Sequence, residues 1–420
     1  MYKKIVLDNG LRIIANKLPS RETVSLGIWI SVGGRFEDEK FKGISHYLEH
    51  MLFKGSKKYT CQQIKETIEG KGGSLNGFTA EEFTCYLVKV LKENLNESLE
   101  ILSDMVLFPV LEEEEINKER TVIMEEIKMY HDLPQYYVLE ILDSLLWADH
   151  PLGSTLTGTP ESVSAIGRKE LSSYRDRFYN APNIVIALCG AFDLDSVVKS
   201  AKKIFTHNDA RKNIIPLAAK EGSRVPALKG VSKPTEQSHL ALGFRSYDRK
   251  DPRRHILDVL HVIMGANMSS RLFQEVREKR GLAYSIGTAI KRFKDAGAFT
   301  VHAGVDNKKV DECVKVVVEE LENIKGGPTE SELRRAKDFY LGQVIMALED
   351  VSEHMLFMGE GIVTVDKVMT LKEKRKAIEA ISASDVKSVA KDIFDLKKIH
   401  LSLISPDGEG KVLGLSKRFT

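Results

Sequence analysis

This chain of 420 residues has few cysteines, no long apolar run and almost no excess of either charge. Its four cysteines show no C-x-x-C spacing. We therefore expect no disulfide framework, but buried free thiols in a reducing compartment, the cytoplasm. No stretch approaches the roughly 18 consecutive apolar residues of a membrane-spanning helix. The opening MYKKIVLDNG predicts neither a secretory signal nor a transit peptide, so no membrane partner is expected.

The charges nearly cancel, with 62 Lys plus Arg against 60 Asp plus Glu and a formal net charge of +2. This balance gives no electrostatic reason for a nucleic-acid partner, and none is predicted. The hydrophobic share of 42% and the charged share of 29% are those of a globular protein. The length suits two domains of about 200 residues each.

Strand and helix signals are interspersed along the chain. Residues 3–7 and 11–15 flank the turn Asp-Asn-Gly and predict a hairpin, while 83–90 predicts another strand. Long helical patterns cover residues 94–107 and 135–148, and a further one covers 112–130. The combination predicts an α+β fold, in which helices pack against a mixed, largely antiparallel sheet.

The two halves of the chain resemble each other. Ile166 aligns with Ile381 at an offset of 215 residues, and the strand that begins at Ile184 then falls on Ile399. At an offset of 217, the helix around Glu115 falls on the helix around Glu332. Although any two helix–strand units look somewhat alike, two matches at nearly one offset favour a duplicated domain. We predict an N-terminal domain over 1–212, a linker over 213–234 and a homologous C-terminal domain over 235–420.

The densest group of ionisable side chains lies in GISHYLEHMLFKG, residues 43–55, where His46, Glu49 and His50 fall within five residues. On a helix, His46 and His50 are about 40° apart and one turn along, so both imidazoles can reach one ion. Glu49 lies about 60° to the other side of His46, close enough to address a water on that ion. The alternative is that both are ordinary half-buried histidines. Because only 11 residues are histidine, we favour a hydrolytic zinc site with one further protein ligand.

The helix predicted over 112–130 offers candidates for that further ligand. Its buried stripe is formed by Ile116, Ile123, Ile127 and Tyr130. Relative to Ile123, Glu119 lies at about −40° and Glu126 at about −60°, whereas Glu125 is about 160° away on the solvent face. Burying a charged carboxylate beside the core is costly in free energy unless a cation is close to it. From the residues alone, either Glu119 or Glu126 is the third ligand, and Glu125 is not.

These motifs resemble the inverted zincins, whose signature is H-x-x-E-H. The resemblance is to the pitrilysin and insulinase-type metallopeptidases, including the processing peptidase of mitochondria, and it covers the whole chain. It assigns Glu126 as the third ligand, Glu119 as a glutamate that supports catalysis from behind the ligands, and Glu49 as the general base.

The resemblance also implies roles for residues that the motif does not contain. Arg277 and Tyr284 look like the family's pair, which reaches from the C-terminal domain to the substrate backbone and the developing oxyanion. Asn76 lies in a segment like the family's sheet edge, where substrate adds as a strand. At the offset of 217, Glu119 meets Ala336 and Glu126 meets Gln343, so one zinc per chain is expected.

The resulting hypothesis is a zinc-dependent endopeptidase of two homologous domains arranged as a clam shell. It would cleave unfolded peptides or short protein segments held between the domains. The resemblance implies a second subunit, which usually completes the assembly in the family's short-chain members. Because both sets of functional residues lie on one chain here, a homodimer is favoured over a heterodimer with divided roles. The alternative is a non-catalytic partner or structural subunit with the same fold.

Overall fold

The structure is a computed structural model that describes residues 2–206, 215–219 and 226–419. Two compact units account for the chain. Unit 1 comprises Met1–Lys128, Ser154–Leu217 and Met346–Thr370, and unit 2 comprises Met129–Gly153, Ala218–Ile345 and Leu371–Thr420. Within the described ranges, no helix is long and apolar enough to cross a membrane.

Each unit is built around one β-sheet. The strands, in chain order, are β1 (Lys3–Val6), β2 (Arg12–Lys17), β3 (Thr23–Ile30), β4 (Ser74–Thr79), β5 (Thr84–Leu91), β6 (Ile184–Gly190), β7 (Ala227–Ser232), β8 (Gln237–Ser246), β9 (Ala283–Arg292), β10 (Gly297–Asp306) and β11 (His400–Ser405). The predicted N-terminal hairpin is confirmed as β1 and β2, which pair antiparallel.

Helices cover the sheets and connect their strands. They are α1 (Ile44–Leu52), α2 (Cys61–Glu69), α3 (Leu95–Leu107), α4 (Glu113–Asp132), α5 (Pro134–Leu146), α6 (Pro160–Ser164), α7 (Arg168–Phe178), α8 (Leu194–Ile204), α9 (Arg254–Met264), α10 (Val310–Asn323), α11 (Glu330–Ala347), α12 (Val351–Val365), α13 (Leu371–Glu379), α14 (Ala383–Ile393) and α15 (Gly408–Ser416). A π-helical turn covers Phe273–Glu278.

Apart from β1, which has no equivalent in the described sheet of unit 2, the two sheets share one strand order. The sheet of unit 1 has the order β1-β2-β6-β3-β5-β4 and that of unit 2 the order β7-β11-β8-β10-β9. β2 pairs parallel with β6, as β7 does with β11, and the other neighbours pair antiparallel. The prediction of an α+β fold with mixed, largely antiparallel sheets is confirmed.

The internal repeat is visible in the element bounds. Adding 215 to the bounds of α7 gives the bounds of α14. The same shift brings β6 onto β11 to within one residue. Adding 217 to the first residues of α4 and α5 gives the first residues of α11 and α12. Matching elements at matching positions follow from two copies of one αβ pattern.

A pair of equivalent helices is exchanged between the units. α5 belongs to the first half of the sequence but packs on β8 and β11 of unit 2, whereas α12 belongs to the second half and packs on β3 and β6 of unit 1. Strand β3 shows the two layers that result. Its Leu26 lies in the larger core, and its Trp29 points to the opposite face, among α12 residues such as Met355.

Close approach of α12 to the sheet depends on a glycine. A Cβ atom on Gly359 would come within 2.2 Å of the Trp29 indole nitrogen. Real carbon and nitrogen atoms do not approach so closely, so any side chain at residue 359 would push α12 away from β3.

The predicted linker, 213–234, differs from the structure over residues 227–232. These residues form β7, which is an edge strand parallel to β11. The sequence pattern missed it because an edge strand that contains Lys229 and Gly230 lacks clear alternation. Of the remaining linker, 213–214 and 220–225 lie outside the described residues. The boundaries 1–212 and 235–420 stay a prediction.

Candidate metal centre

Helix α1 carries the H-x-x-E-H motif and begins at a specialised turn. Gly43 precedes it with a φ of +88°, where a Cβ would lie 2.5 Å from the Thr157 carbonyl oxygen. The buried carboxylate of Glu37 accepts hydrogen bonds from the Gly43 and Ser45 amides at 2.7 and 2.8 Å. Glu37 therefore caps the N-terminus of α1, where the helix dipole is positive. Burial, only partly offset by those bonds, raises the pKa of Glu37 to about 7.

Helix α4 runs beside α1 and supplies the carboxylates. The Tyr47 hydroxyl of α1 donates a 2.5 Å hydrogen bond to the Ile116 carbonyl, which ties the two helices together. On α4, Glu119 is buried, Glu126 is half-buried and Glu125 is exposed. Their burial agrees with the buried stripe inferred from the sequence.

His46, His50 and Glu126 form a cluster of potential metal ligands. One donor atom from each lies within 4.8 Å of the others. Glu126 Oε2 is 3.6 Å from His46 Nε2 and 3.8 Å from His50 Nε2. Within the described part of the chain, this is the one group of three or more such side chains that could hold an ion. Unit 2 shows no equivalent among its described residues.

The cluster fits a zinc ion. Two imidazoles and one carboxylate are one of the donor sets found in catalytic zinc sites. Ligand atoms at about 2.0–2.2 Å from one ion are separated by about 3.5 Å in a tetrahedron. Burial, with a smaller contribution from His50, lowers the pKa of His46 to about 3. His46 is therefore neutral near pH 7, as metal ligation requires.

Glu119 holds His50 from behind. Its Oε2 accepts a 3.0 Å hydrogen bond from His50 Nδ1, which leaves Nε2 facing Glu126. Its other oxygen pairs with Lys54, the second residue after α1. Burial opposes the charge, but the hydrogen bonds from His50 and Lys54 lower the pKa of Glu119. Glu119 thus contacts the side of the His50 ring that points away from Glu126.

Glu49 is held against strand β4. Its Oε2 accepts a 3.1 Å hydrogen bond from the Thr79 hydroxyl. Its Oε1 lies 3.0 Å from the position that a Cβ on Gly77 would take. Burial raises the pKa of Glu49, although His50 and the Thr79 hydrogen bond oppose the shift. A carboxylate whose pKa burial moves toward neutrality is suited to take up and release a proton.

Asn76 lies in β4, at the edge of the sheet of unit 1. Its backbone is paired on one side with Leu87 of β5, and its side chain is exposed. The Asn76 Oδ1 accepts a 2.8 Å hydrogen bond from the Gly77 amide. An exposed edge can accept a further strand.

Arg277 and Tyr284 come together within unit 2. The Arg277 guanidinium lies 5.4 Å from the Tyr284 ring centre and 4.8 Å from that of Phe273. Arg277 belongs to the π-helical turn, a feature that is frequent at functional sites. Tyr284 is the second residue of the edge strand β9 and is 75% exposed. The two side chains, seven residues apart in sequence, are therefore close together in space.

Three residues at the centre went unnoticed in the sequence. They are Glu37, Lys54 and Thr79. Each of these residues contacts a residue of another helix or strand, so the spacing of neighbouring residues in the sequence does not reveal its role. Lys54 alone had a hint, since it directly follows the motif helix.

Comparison with known proteins gives the same family for both halves. Residues 12–160 match the model described as Insulinase (Peptidase family M16), and residues 165–340 match the model described as Peptidase M16 inactive domain. The second description agrees with the single metal-ligand cluster found among the described residues.

Individual relatives cover nearly the whole chain. It is 34% identical over 409 residues to "Uncharacterized zinc protease YmxG" of Bacillus subtilis, covering 97% of this chain and 99% of that protein. "Uncharacterized zinc protease SCO5738" of Streptomyces coelicolor is also 34% identical, over 96% and 89% of the two chains. Among solved structures, a protease from Helicobacter pylori superposes with a TM-score of 0.91 at 25% identity, covering 97% of this chain and 99% of the other.

Proposed function

Because this chain belongs to the insulinase family of peptidases, M16, we propose that it is a zinc-dependent endopeptidase acting on unfolded peptides. The convergence of His46, His50 and Glu126 on one point carries the proposal. These three residues would hold the ion. Bound zinc would supply a Lewis acid and lower the pKa of a water molecule.

The chain's own groups perform the remaining steps. Glu49 would take a proton from the attacking water and later return it to the leaving amine. Glu119 would keep His50 oriented through the hydrogen bond to Nδ1. The exposed edge of β4 would align an extended peptide through its backbone, with Asn76 among the groups that bind it. A peptide must be unfolded to add as a strand.

Arg277 and Tyr284 are proposed as substrate-binding groups. A guanidinium and a phenol can both donate hydrogen bonds to a peptide carbonyl and stabilise negative charge that develops on it. Their adjacency in unit 2 supports a joint role. Arg277→Ala and Tyr284→Phe should each lower kcat/KM without lowering zinc content.

A quenched library of unstructured peptides tests the proposal, with zinc measured in the same samples. We expect the wild type to hold about one zinc per chain and to cleave, with loss of activity on chelation. Glu49→Gln should keep the zinc and lose cleavage, whereas Glu126→Gln should lose the zinc. Glu125→Gln is the matched control, since this neighbour is exposed on α4, and it should behave as the wild type.

The result also separates the enzyme from a partner subunit. A chain that binds no zinc and cleaves nothing in the library would be a non-catalytic subunit of the same fold. We also propose a homodimer, in which each chain carries both residue sets, and sedimentation of the purified protein would test it. The cytoplasmic location, predicted from cysteine usage, stays a prediction. All four cysteines are free and three of them are buried.

A further inference from the structure

We propose that Thr79 is a positioning residue, whose hydroxyl holds the Glu49 carboxylate in the orientation needed for proton transfer. The inference rests on the proposed function, since it concerns the same general base. It goes further by assigning a task to a residue outside the H-x-x-E-H motif.

The contact is direct and specific. Thr79 Oγ1 donates to Glu49 Oε2 at 3.1 Å, across 30 residues of sequence. Glu49 is only 8% exposed, so water offers its carboxylate few alternative hydrogen bonds. A hydroxyl that donates to a buried carboxylate limits its rotation, and proton transfer requires a fixed distance and direction.

Strand β4 contacts both oxygens of the base. Thr79 binds Oε2, and Gly77 leaves room for Oε1, since a Cβ there would lie 3.0 Å from that oxygen and 2.9 Å from the Phe53 ring. The same strand is the sheet edge proposed to bind the peptide. One element therefore determines the position of both the substrate backbone and the base, and their spacing is set by the two residues between Asn76 and Thr79.

A purely structural role for Thr79 makes a different prediction. If the hydroxyl only stabilised the end of β4, its loss would affect folding and not the rate of the folded enzyme. If Thr79 served peptide docking, its loss would raise KM. A positioning role predicts instead a lower kcat at nearly constant KM, with zinc still bound.

The test compares Thr79→Val, which removes the hydroxyl at nearly constant shape, with Thr79→Ser, which keeps it. We expect kcat to fall about tenfold or more in Thr79→Val, KM to stay within about twofold, and Thr79→Ser to recover most of the rate. Thr84→Val is the matched control. Thr84 is the cross-strand partner of Thr79, and its hydroxyl donates to the Val32 carbonyl at 3.0 Å and not to the base. It should keep the wild-type kcat.

A second readout does not depend on activity. Urea midpoints of the metal-free wild type, Thr79→Val, Glu49→Leu and the double variant form a cycle, in which leucine, unlike glutamine, offers no oxygen to accept the hydrogen bond. The two changes should be non-additive if the groups are bonded, while the corresponding cycle of Thr84→Val with Glu49→Leu should be additive.

The outcomes distinguish the two proposals. An active wild type with an unchanged kcat in Thr79→Val, or with a raised KM alone, overturns the positioning role and leaves the peptidase intact. A zinc-loaded wild type that cleaves nothing overturns the peptidase, and the metal-free cycle then decides whether Thr79 holds Glu49. Additive midpoints would reject that contact.

Discussion

Replacing Lys54 by methionine tests how the buried Glu119 is kept charged. Methionine keeps the apolar stem of lysine and removes its ammonium group. The Glu119 side chain is 7% exposed and that of Lys54 is 27% exposed. Breaking a buried ion pair by removing one partner costs about 3–5 kcal/mol. Because Glu119 keeps its hydrogen bond with His50 and Lys54 is partly hydrated, we expect about 2–3 kcal/mol.

The assay is urea unfolding of metal-free protein, followed by tryptophan fluorescence. The chain has two tryptophans, Trp29 in unit 1 and Trp147 in unit 2. In a Trp147→Phe background the signal reports unit 1, which contains the Lys54–Glu119 pair. Lys58→Met is the control because Lys58 pairs with Glu100 on the surface, and it should cost about 0–1 kcal/mol. The reasoning is refuted if Lys54→Met costs no more than Lys58→Met.

Two further predictions follow from buried groups. Glu37 has a folded pKa of about 7 against an ordinary value of 4.5, so the folded state binds the proton more tightly, and stability falls as the pH rises from about 4.5 through 7, by up to about 3 kcal/mol. The free energy of unfolding, measured with urea, should fall between pH 5 and pH 8 by more in the wild type than in Glu37→Gln, and equal changes in the two proteins would contradict the assignment. Gly359→Ala should destabilise by about 1–3 kcal/mol in the same assay, because its Cβ overlaps Trp29. Gly342→Ala, on α11 with nothing within 4 Å, should instead stabilise by about 0.5–1 kcal/mol, and a loss of stability there would contradict the packing argument.

Local pattern was sufficient for much of the fold. Thr60 and Gln63 have the spacing of a capping box, and the structure shows hydrogen bonds between them in both directions. The stripe on α4 placed Glu119 inside and Glu125 outside, because helical periodicity depends only on neighbouring residues. The resemblance, and not the periodicity, selected Glu126 over Glu119 as the ligand.

Contacts between distant segments were beyond that reasoning. The periodicity of α5 and α12 shows that each buries an apolar face, but it does not say which sheet receives that face. Lys54 and Thr79 likewise acquire their partners only when α4 and β4 come to lie beside α1. Such pairings depend on tertiary packing, and the spacing of apolar and polar residues within one segment does not show which other segment it packs against.

The exchanged helices have a consequence for synthesis on the ribosome. The last strand of the first sheet is complete at Gly190, but α12, which covers Trp29 on the far side, ends at Val365. At about 5–20 residues per second, the nascent chain would carry this uncovered apolar face for about 10–35 s. Chaperone binding should therefore be strongest on chains arrested between these two points, and ribosome profiling of chaperone-bound chains would show it. A cut at the linker would therefore leave each product with one bare sheet face and one helix separated from the sheet on which it packs.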